Sequence, residues 1–148
     1  MTTTTSTHPV TSSHPLARAA ALTTATALAV NMAVFGLARA RSVNFQFPQP
    51  GSGTRVQTVS VAQVIVVTLL AMIAGWAVVG LADRRQRPTL ATMAIIGGVF
   101  AVVSTIAPLT LDAGWSVKFT LASLHLSTGA LYLAGILWHR QANMGGAR

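Results

Sequence analysis

The chain has 148 residues, of which 52% are hydrophobic and only 8% are charged. Soluble domains carry charge on about a quarter of their residues, so this composition excludes an ordinary soluble fold. Ten basic residues against two acidic ones give a formal charge of +8, and no cysteine is present. The sequence therefore excludes disulfides, thiolate nucleophiles and thiolate metal sites.

Most of the basic residues stand at the ends of apolar runs, where cations meet lipid headgroups. No basic patch with interleaved aromatic residues is present to stack bases, so we expect no nucleic-acid partner. The expected partner is the lipid bilayer with its anionic headgroups, beside Arg39, Arg41, Arg84, Arg85, Arg87, Lys118 and Arg140.

Residues 1–17 are rich in Thr, Ser and Pro, which predicts a disordered tail. Residues 19–38 carry no charge, and twenty helical residues match a hydrocarbon core roughly 30 Å thick. A cleaved signal peptide is the alternative, because Arg18 precedes the run and Ala38 and Ala40 have the spacing of a cleavage site. The run is longer than the usual signal core of about 7–15 residues, so a retained helix is favoured.

The connection 41–58 contains two prolines and two glycines that break regular structure. Phe45 and Phe47 alternate there with the polar residues Asn44 and Gln46. Alternation of this kind predicts a short interfacial strand or turn.

Three further apolar runs follow, and Pro88 suits the first turn of the third helix because its missing N–H would be unpaired there. The sequence thus predicts an all-α fold, a four-transmembrane-helix bundle. The membrane domain covers 18–140, with spans at about 19–38, 59–82, 89–109 and 117–138, and a polar tail at 141–148.

An even number of crossings places both termini on one side of the membrane. By the positive-inside rule the side with more basic residues is cytoplasmic, which predicts cytoplasmic termini. That side holds Arg18, Arg84, Arg85, Arg87, Arg140 and Arg148, against Arg39, Arg41, Arg55 and Lys118 on the other.

Small residues four apart allow close helix packing in a bilayer. Ala71 and Gly75 have this spacing in the second span, and Gly97 and Ala101 have it in the third. The simplest interpretation is packing within the bundle, and the alternative is an interface between copies of the chain.

A polar stripe marks the fourth span, where Lys118, His125, Tyr132 and His139 recur every seven residues and so return to nearly one helical face. Lys118 and His139 belong at helix ends, where snorkelling explains them. His125 lies roughly 10 Å deeper along the axis than Lys118, and ionisable groups at such depth are rare.

Two interpretations of His125 stay open. It is a proton relay, a metal or haem ligand or a substrate contact, or else a neutral imidazole bonded to a neighbouring helix. In the second case the expected partners are Asn31, Ser104 or Thr105.

No Asp or Glu lies inside any span, so the usual carboxylates of proton-coupled carriers and membrane hydrolases are missing. His125 and His139 are fourteen residues apart, roughly 21 Å along one helix, too far to share one haem iron. We therefore predict no catalytic residues, no metal site and no cofactor, and a chain that is not an enzyme.

The Gly75-Trp76 pair, the basic run DRRQR at 83–87, the Pro108-Leu109 pair and the last helix LASLHLSTGALYL at 121–133 carry a resemblance. The chain resembles the uncharacterised actinobacterial four-helix integral membrane proteins that form a domain of unknown function, over residues 18–140. The resemblance implies a fold and a membrane location, and it assigns no activity.

Three functions remain open. The leading hypothesis is a non-enzymatic accessory or structural component of the envelope or of a membrane complex in the bacterial cytoplasmic membrane. Its partner is a second copy or another membrane protein. The second is a small transporter or channel subunit whose oligomer lines a polar path with Asn31, Gln63, His125 and Tyr132. The third is a membrane oxidoreductase or quinone-binding protein with His125 and Tyr132 near the ring.

Overall fold

The computed structural model describes residues 15–48, 56–84 and 88–145, and most of these residues are helical. Four helical segments are long and apolar enough to cross a membrane, so the predicted all-α four-helix bundle is confirmed. The elements in chain order are α1 (Pro15–Ala40), β1 (Gln46–Pro48), β2 (Val56–Thr58), α2 (Val61–Asp83), α3 (Pro88–Ser104), α4 (Ile106–Leu109) and α5 (Trp115–Gly145).

The helices run past the predicted spans at both ends of the chain. α1 begins at Pro15, so residues 15–17 are helical and do not belong to the predicted disordered tail, whose residues 1–14 lie outside the described residues. A proline suits the first turn because it has no N–H to leave unpaired. α5 continues to Gly145, so most of the predicted polar tail is helical.

The third span is broken near its end. α3 ends at Ser104 and α4 begins at Ile106, where the sequence predicted one helix over 89–109. Pro108 explains the break, because a proline has no N–H to donate to the carbonyl four residues earlier and its ring collides with that carbonyl. The carbonyl concerned is that of Ser104, the last residue of α3.

The predicted interfacial strand is an antiparallel hairpin of two three-residue strands, with Phe47 opposite Gln57. Phe45 and Phe47 point inwards and are buried, whereas Asn44 and Gln46 are exposed. The alternation seen in the sequence therefore separates the two faces of the hairpin.

Two clusters of buried side chains form the core. One lies between α1, α2 and α5 around Met72, Trp76 and Ile136. The other lies beneath the hairpin, where the rings of Phe35 and Phe45 are 4.5 Å apart. α5 packs most extensively against α1 and α3, whereas α2 touches α3 and α5 more sparingly. The seam between α2 and α3 is consequently loosely packed.

Candidate functional site

Asn31 is the most completely buried polar residue of the bundle, with 1% of its surface exposed. Its amide Nδ2 donates hydrogen bonds to the Oγ1 atoms of Thr68 and Thr128, both at 2.8 Å. Its Oδ1 accepts a hydrogen bond of 2.6 Å from Oγ of Ser127. We call these four residues the Asn31 cluster, and it joins α1, α2 and α5.

The side-chain amide of Asn31 forms all of its hydrogen bonds within the cluster. Thr128 donates its own hydroxyl proton to the carbonyl of Leu124, at 2.8 Å, while it accepts from Asn31. Both amide protons and the amide oxygen of Asn31 are therefore satisfied inside the bundle, where an unpaired polar group would be costly. The cluster therefore joins three helices through the fully bonded amide of Asn31.

Tyr132 is held between α2 and α3. A Cβ atom built on Gly75 would lie 2.7 Å from one edge of its ring, and one built on Gly97 would lie 2.6 Å from the opposite edge. The Tyr132 hydroxyl donates to the carbonyl of Gly75 at 3.1 Å, and Trp76 packs edge-on at 5.8 Å. Only residues without a side chain leave room for the ring at these two positions.

The four predicted packing residues have different surroundings. Gly75 and Gly97 both contact Tyr132, and Ala101 packs so tightly on Gly129 that no further Cβ would fit there. Ala71 is exposed on the surface of α2. Gly75, Gly97 and Ala101 therefore make contacts within the bundle, between α2, α3 and α5.

A groove of about 800 Å³ runs along the seam between α2 and α3, with α5 as its floor. Gln63, His125 and Tyr132 line it together, and Asn31 does not. Most of the other side chains that line it are apolar, and none of them is charged. We call it the seam groove.

His125 is half-buried on the floor of the seam groove, and no hydrogen bond to its imidazole is found among the described residues. The structure therefore does not contain the hydrogen bond to a neighbouring helix that one of the two interpretations of His125 expected. The three expected partners are used elsewhere: Asn31 in its cluster, the Ser104 hydroxyl on the carbonyl of Ala101, and the Thr105 hydroxyl on that of Val102.

The polar stripe divides into residues with separate surroundings. The Lys118 ammonium lies 5.0 Å above the centre of the Trp115 ring, a cation–π contact at the end of the helix. His139 has 2% of its surface exposed, so it is buried and not at the interface as the sequence predicted. Only His125 and Tyr132 share the seam groove.

Sequence reasoning predicted no contact for two residues that the structure places in the core. Thr68 completes the Asn31 cluster, and nothing distinguishes it from the other threonines of the spans until the helices are packed. Trp76 is buried among α1, α2 and α5, and its indole Nε1 has no hydrogen-bond partner among the described residues. The described part of the chain also contains no group of three metal-ligating His, Cys, Asp or Glu residues.

Four apolar helices of spanning length, a buried Asn31 cluster that is bonded inside the bundle and an apolar outer surface together define a helical membrane protein. The chain belongs to a family of unknown function, DUF6069, which matches residues 11–142. No curated protein and no solved structure matches it.

Proposed function

We propose that the chain is a non-enzymatic accessory or structural component of the cell envelope or of a larger membrane complex. The proposal places it in the bacterial cytoplasmic membrane as a multi-pass protein with both termini in the cytoplasm. The distribution of basic residues, six against four, supports this orientation by the positive-inside rule.

The observation that carries the proposal is the Asn31 cluster, in which both amide protons and the amide oxygen of Asn31 are hydrogen-bonded. A conduit through the bundle needs polar groups that are free to exchange partners with a solute or with water. Asn31 instead donates both amide protons to threonines of α2 and α5 and accepts from Ser127. Because the most buried polar side chain joins helices in this way, its role is better explained by structure than by transport through the bundle.

The surface of α3 supports a partner inside the membrane. α3 is the least covered of the four spanning helices, and it exposes Ile95, Val99 and Phe100 by more than half. Lipid tails satisfy such a surface, and so does another apolar helix. The proposed protein partner is therefore a membrane protein or a second copy that packs on this helix.

Native mass spectrometry of the protein, gently extracted from its own membrane, tests the proposal. We expect a discrete complex with another membrane protein or with further copies of the chain. A version with Phe100→Ser and Val99→Ser on α3 should lose the partner, while Leu37→Ser on the exposed surface of α1 serves as the control. A monomer without any protein partner in several mild detergents would contradict the accessory role.

The alternative is a small transporter or channel subunit that works as an oligomer. One observation favours it: Gln63, His125 and Tyr132, three of the four residues predicted for the path, line the same seam groove. Reconstituted liposomes with a panel of ions and small solutes test it. Flux that falls on His125→Ala would support transport, whereas flux that is absent or unaltered by this change would contradict a path along His125.

A further inference from the structure

The seam groove has the size and shape of a site for a slender molecule. Its wall on α2 extends from Gln63 to Val78, a rise of about 22 Å along the helix axis, against a hydrocarbon core roughly 30 Å thick. Its volume of about 800 Å³ lies within the range of small-molecule sites. Since the groove follows the seam, its open side faces the acyl chains of the bilayer.

The width of the groove excludes a helix as its occupant. Gly75 of α2 and Gly97 of α3 approach opposite edges of the single Tyr132 ring, so the two helices are separated there by little more than one ring. An α-helix with side chains needs about 10–12 Å. A hydrocarbon tail fits such a space, while a helix can only cover it from outside.

The polar groups of the groove are concentrated in one half. Val78 and Met93 line the far half beyond Tyr132. The polar residues that line the half nearer the hairpin are Gln57, Gln63, Thr68, Ser104, His125 and Thr128. The Ser104 hydroxyl donates to its own helix, and the Gln63 Oε1 accepts from the backbone N–H of Ser60. The Thr68 and Thr128 hydroxyls, which also line the groove, accept from Asn31, whereas no hydrogen bond to the His125 imidazole is found among the described residues.

An imidazole at membrane depth without a hydrogen bond is costly, and a ligand with a hydrogen-bonding oxygen relieves that cost. Because none of the described residues that line the groove carries a charge, a charged headgroup would find no counter-ion among them. The occupant must therefore combine a neutral, compact, oxygen-bearing head with an elongated apolar tail.

We propose that the seam groove binds a neutral amphiphilic lipid, whose head oxygen hydrogen-bonds to the imidazole of His125 and whose hydrocarbon tail lies along the seam between α2 and α3. Tyr132 is a positioning residue, since its hydroxyl donates to the carbonyl of Gly75 and its ring holds the two helices apart between the two halves of the groove. Glycerolipids without phosphate and prenylated quinones share this chemistry.

The test is quantitative lipid mass spectrometry on the full chain, purified in a mild detergent. We expect about one neutral lipid for each protein chain. His125→Leu keeps the bulk of the side chain and removes the hydrogen bond, and Ala71→Phe fills the groove. Each should reduce the bound lipid at least tenfold. Ala77→Phe, on the exposed surface of the same helix outside the groove, should retain it.

Two probes distinguish the sources of the ligand. Lipid-depleted protein is titrated with dioctanoylglycerol and, separately, with a decyl-tailed benzoquinone, and tryptophan fluorescence reports binding. Saturable binding of either probe that His125→Leu weakens at least tenfold supports the site and assigns the class. Absence of bound lipid together with no saturable binding of either probe, or equal binding by all variants with unchanged thermal unfolding, overturns the proposal.

Discussion

At the residue scale, Asn31 shows how one amide can hold three helices together. It donates to Thr68 on α2 and to Thr128 on α5, and it accepts from Ser127. Hydrogen bonds between membrane helices contribute about 0.6 kcal/mol each on average, because the alternative states also find partners. The importance of Asn31 comes from the number of helices that it joins.

Replacement of Asn31 by leucine should lower the free energy of unfolding by about 2 kcal/mol, since three interhelical hydrogen bonds are lost. Reversible unfolding in mixed micelles, followed by circular dichroism, measures the change. Thr26→Val is the matched control on α1, because the Thr26 hydroxyl is exposed and bonds only to the carbonyl of Leu22 in its own helix. Equal stability of the two variants would contradict a stabilising role of the Asn31 cluster.

Tyr132 contributes through its ring more than through its hydroxyl. Tyr132→Phe removes one hydrogen bond to Gly75 and should cost less than about 1 kcal/mol. Tyr132→Ala removes the body that fills the space between Gly75 and Gly97, and should cost about 3–5 kcal/mol through the cavity it leaves. The same unfolding assay compares them. Similar losses for both variants would mean that the hydroxyl carries the contact.

At the element scale, the glycines of α2 and α3 decide how closely these helices approach α5. A side chain on Gly97 would meet the Tyr132 ring, whereas one on Gly36 of α1 would meet nothing within 4 Å. The two glycines look alike in the sequence. Their surroundings differ only because α1 turns Gly36 outwards and α3 turns Gly97 towards α5.

Gly97→Leu should therefore destabilise the bundle by about 1–3 kcal/mol, the usual cost of overpacking. Gly36→Leu, the matched control, should change stability by less than about 0.5 kcal/mol, as surface substitutions usually do. Thermal unfolding in detergent measures both. If the Gly97→Leu protein unfolds at the same temperature as the wild type, the contact between α3 and α5 at this position does not contribute to stability.

The connecting elements were partly readable from the sequence. Pro108 marks the place where α3 gives way to α4, yet the sequence interpretation ran one helix through it, because proline near a helix end is common. Ser60 and Gln63 form a capping box at the start of α2, with both reciprocal hydrogen bonds present. The spacing of these two residues is the signal that could have located the first residue of α2.

At the scale of the whole molecule, the absence of cysteine makes the orientation directly testable. Asn44→Cys lies on the exposed surface beside the hairpin, and Ala142→Cys lies on the exposed end of α5. With cytoplasmic termini, an impermeant maleimide should label only Asn44→Cys in intact spheroplasts. Both variants should react after permeabilisation, which controls for access. Labelling of Ala142→Cys alone in intact spheroplasts would show the opposite orientation, with the termini outside the cytoplasm.

Most of the helices could be predicted from the sequence because a lipid bilayer constrains the length and polarity of each span separately. Uncharged runs of spanning length, cations at their ends and alternation around Phe45 and Phe47 are visible without knowledge of packing. The family match over residues 11–142 covers almost the same stretch as the resemblance noted in the sequence. In the candidate site, Asn31, His125 and Tyr132 were identified as unusual, but their partners were not.

By itself, then, the sequence determined that this is a four-helix membrane protein, because the length and polarity of each span depend on neighbouring residues alone. Only the tertiary structure decided that Asn31 bonds to Thr68, Ser127 and Thr128 and that His125 does not bond to Asn31. Partners as far apart as residues 31 and 128 meet through the rotation and spacing of whole helices. The rotation and spacing of α1 and α5 depend on close packing between them, as where Gly135 meets Thr23, and no local sequence pattern predicts that contact.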